Sequence, residues 1–180
     1  MRHARACLLV LVLASSCGRE DEGPNARGAG LRSAALQPAA RAEAYAAALR
    51  GVFDVGPGLV LLLDPRVLPR SRIGESRGQV PQEVVHALRA SGAVHGTCQA
   101  DTTAEKAAPI CAAESAGYII RVSDVFAMAG DTVQLYVTAE RYRPSRDTTG
   151  FQPPLRLEQR YILARRGGRW TVASKERLVD

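Results

Sequence analysis

After Tyr118 the helical spacing gives way to segments in which apolar residues recur at every second position, and no other feature constrains the fold as tightly. Ile120 and Val122 alternate with their neighbours, and Val125 resumes the apolar face after a break in phase. Met128-Ala129-Gly130-Asp131 then turns the chain, and Val133, Leu135, Val137 and Ala139 alternate with Thr132, Gln134, Tyr136 and Thr138. A period of two sends successive side chains to opposite faces of a strand, so these segments read as a hairpin with one apolar face. After a longer loop from Pro144 to Pro154, Leu155, Leu157, Tyr161 and Leu163 alternate with Arg156, Glu158 and Arg160. Gly167-Gly168 supplies the two positive-φ positions of a tight turn into Trp170, Val172 and Ser174. The pattern predicts a four-strand antiparallel meander whose oily face needs a cover.

Helices upstream are placed to provide it. Between Leu36 and Phe53 the chain is Ala-rich, with Tyr45, Ala48, Leu49, Val52 and Phe53 at the spacing of one helical stripe. Gly56-Pro57-Gly58 stops this helix, and Leu59 to Leu63 is a continuous apolar run ended by Asp64-Pro65, which reads as a short buried strand. Residues 66–80 are loop-like. Pro81 then opens a second helix to about Ser91, with Val84, Val85 and Leu88 on one side and Gly92 at its end. The expectation is one α+β domain over residues 36–180.

The N-terminus sets the compartment. Arg2, His3 and Arg5 precede the nine-residue apolar run Ala6 to Ala14, and small residues lead into Cys17. This is the three-part build of an export signal. As a helix the run would span about 14 Å, under half of a ~30 Å hydrocarbon core, so residues 1–16 read as a cleaved signal peptide rather than a membrane span. Leu13-Ala14-Ser15-Ser16-Cys17 resembles the lipobox of bacterial lipoproteins, and the resemblance implies that Cys17 becomes the lipidated first residue of the mature chain. The alternative is an ordinary secretory signal cut near Ala14 or Ser16. Residues 17–35 then read as a lipidated Cys and a flexible tether, since residues 18–35 hold three acids, three bases and five Gly or Pro with little to bury. The expected location is the bacterial cell envelope, with the domain facing the periplasm or exterior.

Export excludes nucleic acid as the natural partner despite a pI near 9.5. Losing residues 1–16 removes two arginines and leaves 22 bases against 18 acids. With Cys7 in the signal and Cys17 on lipid, Cys98 and Cys111 remain, and an oxidising compartment favours pairing them. The rival use, a metal or redox pair with His95, lacks both CxxC spacing and enough ligands for a closed zinc site. No cofactor or metal is expected.

The order helix, strand, helix, meander, closing in ARRGGRWTVAS, resembles the cystatin-like and NTF2-like α+β class. It is also similar to uncharacterised exported bacterial proteins that end in a Tyr-x-Leu strand, a Gly turn and a Trp strand. The resemblance implies a curved antiparallel sheet wrapping a helix over residues 36–180. It implies no transferable active site, because the pocket of NTF2-like enzymes is usually equipped with Asp, His or Tyr and no His follows His95 here.

Individual motifs weigh the same way. Gly74-Glu75-Ser76-Arg77-Gly78 satisfies the G-x-S-x-G pattern of a hydrolase elbow, but the strand before it ends ten residues upstream and no His follows in the required order. His86 and His95 stand in and just beyond the second helix, where a lone His is more often structural than catalytic. Glu140 and Glu158 are placed for cross-strand ion pairs with neighbouring arginines. Tyr161 and Trp170 fill the core or line a cavity beneath the helix. The uneven feature is a basic run, Arg141, Arg143, Arg146, Arg156, Arg160, Arg165, Arg166 and Arg169, against Glu140, Asp147 and Glu158. On a tethered domain it would contact an anionic surface at about 1 kcal/mol per Arg; otherwise it protects a sheet edge. The leading expectation is a non-enzymatic envelope lipoprotein, held at the membrane by its anchor, that binds an envelope protein, polymer or small ligand. A pocket enzyme on an NTF2-like scaffold is the alternative.

Overall fold

A computed structural model of the chain describes residues 32–52, 60–68, 78–99, 109–143 and 156–178. The signal, Cys17 and most of the tether lie outside these residues, as do the interior of the cysteine loop, the segment around Ser76, Arg146 and the loop before Arg156.

The described chain forms two helices and a mostly antiparallel mixed sheet of seven strands, an α+β arrangement. In chain order the elements are α1 (Pro38–Val52), β1 (Val60–Leu63), α2 (Gln82–Ala90), β2 (Gly96–Thr97), β3 (Gly117–Val122), β4 (Phe126–Ala127), β5 (Thr132–Tyr142), β6 (Arg156–Arg166) and β7 (Arg169–Arg177). The sheet order is β2-β1-β3-β5-β6-β7, with β4 also paired to β5.

The meander expected from alternation is present as β3, β5, β6 and β7, each antiparallel to the next. Its apolar face holds Ile120, Val122, Leu135, Val137, Ala139, Tyr161 and Leu163, all buried in one core cluster with both helices. The break in phase before Val125 is a bulge. Val122 pairs with Val137 and Phe126 with Gln134, so three residues of one strand stand opposite two of the other. Ser123 fills the gap in the ladder. Its N–H donates to Tyr136 O at 2.9 Å, and its Oγ accepts from Tyr136 N at 2.8 Å.

The sheet is not antiparallel throughout. β1 runs parallel to both β2 and β3, because the chain leaves β1, crosses through α2 and returns as β2 in the same direction. The two-residue β2 carries no alternation that would announce it. At the other side of β1, Gly117 faces Val60 so closely that a Cβ would sit 1.9 Å from the Val60 carbonyl oxygen. Only glycine fits there.

α1 differs from a one-stripe helix. Every residue from Ala44 to Leu49 is buried, because α1 packs against β5, β6 and β7 on one side and α2 on another. Alanine makes this possible, since it buries on any face and lets neighbours approach closely. The Tyr45 hydroxyl donates to Ser123 O at 2.8 Å, tying α1 to the bulge. At the C-terminal end of α1, Lys175 Nζ donates to Gly51 O at 3.3 Å. α2 buries Val84, Val85 and Leu88, and Gly92 ends it at φ 70°.

The folded part also begins earlier than residue 36. Ser33 pairs with Phe126, Ala34 N donates to Val125 O, and Ala127 N donates to Arg32 O, so the end of the expected tether joins the outer side of β4. An extended segment beside an unpaired strand edge satisfies hydrogen-bonding groups on both.

Candidate functional site

The basic run does not form one patch. Because β5 and β6 are antiparallel, Glu140 pairs with Arg156 at one end of the hairpin and Thr132 with Ala164 at the other. The eleven residues of β6, Arg156–Arg166, span about 33 Å from one end to the other. Arg141, Arg143 and Arg156 belong to the first end. Arg160 sits mid-strand and forms an ion pair with Glu176. Arg165, Arg166 and Arg169 gather at the second end around Gly167 and Gly168, whose φ values of 56° and 80° close the turn.

That second end has further components. Arg165 Nε donates to Gly168 O, and its guanidinium lies 5.9 Å from the centre of the Trp170 ring, which is buried. Arg166 and Arg169 are exposed, and among the described residues neither is placed in an ion pair. The neighbouring turn, closed by Gly130 at φ 65°, exposes Met128, and Arg165 N donates to Asp131 O across the two turns. Arg32 arrives at this same end, through its bond to Ala127.

The remaining sequence candidates have structural positions. Cys98 and Cys111 lie at disulfide distance, with sulfurs 2.02 Å apart. The reciprocal backbone bonds of Gln99 and Ile110 reinforce that neck, while the Tyr142 hydroxyl engages Cys111 O and Ala113. His95 is exposed yet engaged: its N–H donates to Leu61 O at 2.7 Å and its Nδ1 accepts from Leu61 N at 3.0 Å. That second bond requires an unprotonated Nδ1 and places the ring proton on Nε2. His86 is exposed on α2. Glu140 stands opposite Arg156 in register, whereas Glu158 stands opposite Thr138. Tyr161 is fully buried and donates to Gln159 Oε1, and burial pushes its phenol up to about 12. Burial raises the Tyr45 phenol further; Asp124 adds to the shift and Arg41 opposes it. Both phenols are therefore held neutral. Among the described residues, no group of three or more His, Cys, Asp and Glu is disposed to hold a metal ion.

One cluster was missed by sequence reasoning. Asp64 is fully buried, and it accepts from Arg66 through N, Nε and Nη2, at 3.1, 3.0 and 2.7 Å at the closest. Arg121 Nε lies 3.5 Å from Asp64 Oδ2 and donates to Arg66 O. Leu61 and Leu63 belong to the helix-covered core, so alternation sends Leu62 and Asp64 to the other face of the sheet. The Asp64-x-Arg66 spacing was the available signal, because residues two apart on an extended chain share a face. The ion pairs clamp the end of β1 to β3 and present no reactive group.

No family model matches the chain, nor does any curated protein or solved structure. The class that the fold defines is the α+β arrangement of two helices and a mixed sheet.

Proposed function

We propose that the chain is an exported envelope lipoprotein, anchored through Cys17, whose α+β domain is a non-enzymatic module for binding an envelope protein, polymer or small ligand. In this reading the fold is a cystatin-like or NTF2-like curved sheet around α1, a view supported by the all-round burial of Ala44 to Leu49. The observation that carries the export and anchoring is the basic start, apolar run and Cys17 of the N-terminus. The disulfide-distance pair of Cys98 and Cys111 supports it independently, because such a bond persists in oxidising compartments. Binding is favoured over catalysis by the duties of the titratable groups: His95 bridges backbone, Asp64 is occupied by arginines, and Tyr45 and Tyr161 are buried hydrogen-bond donors.

The anchoring test compares the full chain with Cys17→Ala in bacterial cells fed labelled fatty acid. The expected result is label and membrane fractionation for the first and loss of label for the second. Label retained by Cys17→Ala would end the lipoprotein reading. Native mass spectrometry of the purified chain addresses binding, with a reproducible extra mass of small-molecule size expected for a ligand carrier and none for a macromolecular binder.

A further inference from the structure

The hairpin geometry gives the tethered domain a defined orientation. Segment 32–34 runs antiparallel to β4, so Arg32, the first described residue, stands at the end of the sheet that carries the 128–131 turn. The 166–169 turn lies at that same end, through the pairing of Thr132 with Ala164 and the bond from Arg165 N to Asp131 O. From segment 32–34 across β4, β5 and β6 to β7 is four strand spacings, or about 19 Å. Within that width stand Arg32, Arg165, Arg166 and Arg169, with Asp131 as the acid of the two turns and Met128 exposed between them.

We propose that this end of the sheet rests on anionic lipid headgroups, with Arg166 and Arg169 as its principal contacts. The proposal rests on the anchored reading above and adds to it a membrane-facing surface. Fourteen residues separate Cys17 from Arg32 in the sequence, and the tether expected there from composition would have a typical reach of about 20 Å. The lipid therefore holds the basic end near the bilayer. The Arg141 and Arg143 end stands about 33 Å farther along the strands, several times the ~8 Å over which a surface charge is felt at physiological salt. The near arginines meet the surface potential and the far ones do not. Arg165 braces the turn through Gly168 O and the Trp170 ring, and among the described residues Arg166 and Arg169 are exposed and in no ion pair.

The test uses the full chain, processed in a bacterial envelope, purified in detergent and reconstituted into phosphatidylcholine vesicles with or without phosphatidylglycerol. Arginine modification by phenylglyoxal is followed residue by residue by peptide mass. Arg166 and Arg169 should react about fivefold more slowly on the anionic vesicles, high salt should restore the rate, and Arg141 and Arg143 should be unaffected. Arg32, at the same end, should also react more slowly on the anionic vesicles, and a double variant, Arg166→Glu with Arg169→Glu, which alters exposed residues flanking the turn, should abolish that salt-sensitive protection. Equal rates at Arg166 and Arg169 on both vesicles, or protection at Arg141 and Arg143 instead, would overturn the docking. The mass of the N-terminal peptide separates the two readings. A chain without lipid on Cys17 sinks the anchoring and the docking with it, whereas a lipidated chain with unprotected arginines sinks the docking alone.

Discussion

Replacing Tyr45 by Phe removes one oxygen from a fully packed position and tests how α1 is registered on the sheet. The Tyr45 hydroxyl donates to Ser123 O at 2.8 Å, both groups are buried, and Ser123 sits in the bulge between β3 and β4. Deleting the hydroxyl leaves a buried carbonyl without this donor, which costs about 1–2 kcal/mol near neutral pH. The pH dependence makes the prediction sharper. Burial raises the phenol above its ordinary value of 10.0 in the folded protein, so its stabilising contribution is complete below pH 10 and is lost as pH rises toward the folded value. At pH 11 the unfolded phenol is ionised and the folded one is not, which removes about 1–2 kcal/mol from the wild type and nothing from the variant at this position. Urea unfolding at pH 8 and pH 11, with equal m-values for the two proteins, reads the difference directly. Tyr45→Phe should be clearly less stable at pH 8 and nearly equal to wild type at pH 11. A gap below about 0.5 kcal/mol at pH 8, or one that stays constant with pH, would refute the reasoning.

Gly117→Ala should prevent stable folding or cost more than about 3 kcal/mol, because the new methyl meets the Val60 backbone at 1.9 Å and neither strand can yield without breaking the β1–β3 ladder. Thermal unfolding checks it, and a shift of a degree or two would show that the strands do yield. Asp64→Ala should cost about 3–5 kcal/mol by leaving Arg66 and Arg121 without their shared carboxylate, while Asp64→Asn, which keeps an acceptor, should cost less. Urea midpoints rank the two, and the opposite order would remove charge pairing as the cause. Replacing Cys98 and Cys111 together by Ser should cost about 3 kcal/mol for a loop with a sequence separation of 13, and adding reductant should then destabilise only the wild type.

What the sequence disclosed follows from how local each interaction is. Alternation located the meander, and the lost beat before Val125 marked the bulge, because an inserted residue must shift the phase of every side chain beyond it. Gly167-Gly168 announced its turn because few other residues accept positive φ at both positions. α1 was legible as a helix but not as one buried all round, since alanine has strong helix propensity and no strong preference for either environment. β2 was illegible at two residues. Asp64 read as a strand terminator because the arginine that completes its burial, Arg121, comes more than fifty residues later and from another strand.

The arginine run shows how a charge count misleads when the chain folds back. Eight arginines between residues 140 and 169 look like one field, yet a hairpin sends the two halves of such a run to opposite ends of its strands and leaves Arg160 to a pair with Glu176. At about 33 Å, those ends are electrostatically independent. If the chain is anchored as proposed, the end that meets a surface is decided by the few residues that fix where Arg32 joins the fold. Arg32, Ser33 and Ala34 have neither the length nor the alternation to read as a strand, and an existing edge at β4 orders them. Under the proposed anchoring, orientation would be a property of topology first and of composition second. Moving the tether to the opposite end of the sheet by circular permutation, with every arginine retained, should move the lipid-dependent protection from Arg166 and Arg169 to Arg141 and Arg143. Protection that stayed at Arg166 and Arg169 after the move would show that local charge alone selects the surface.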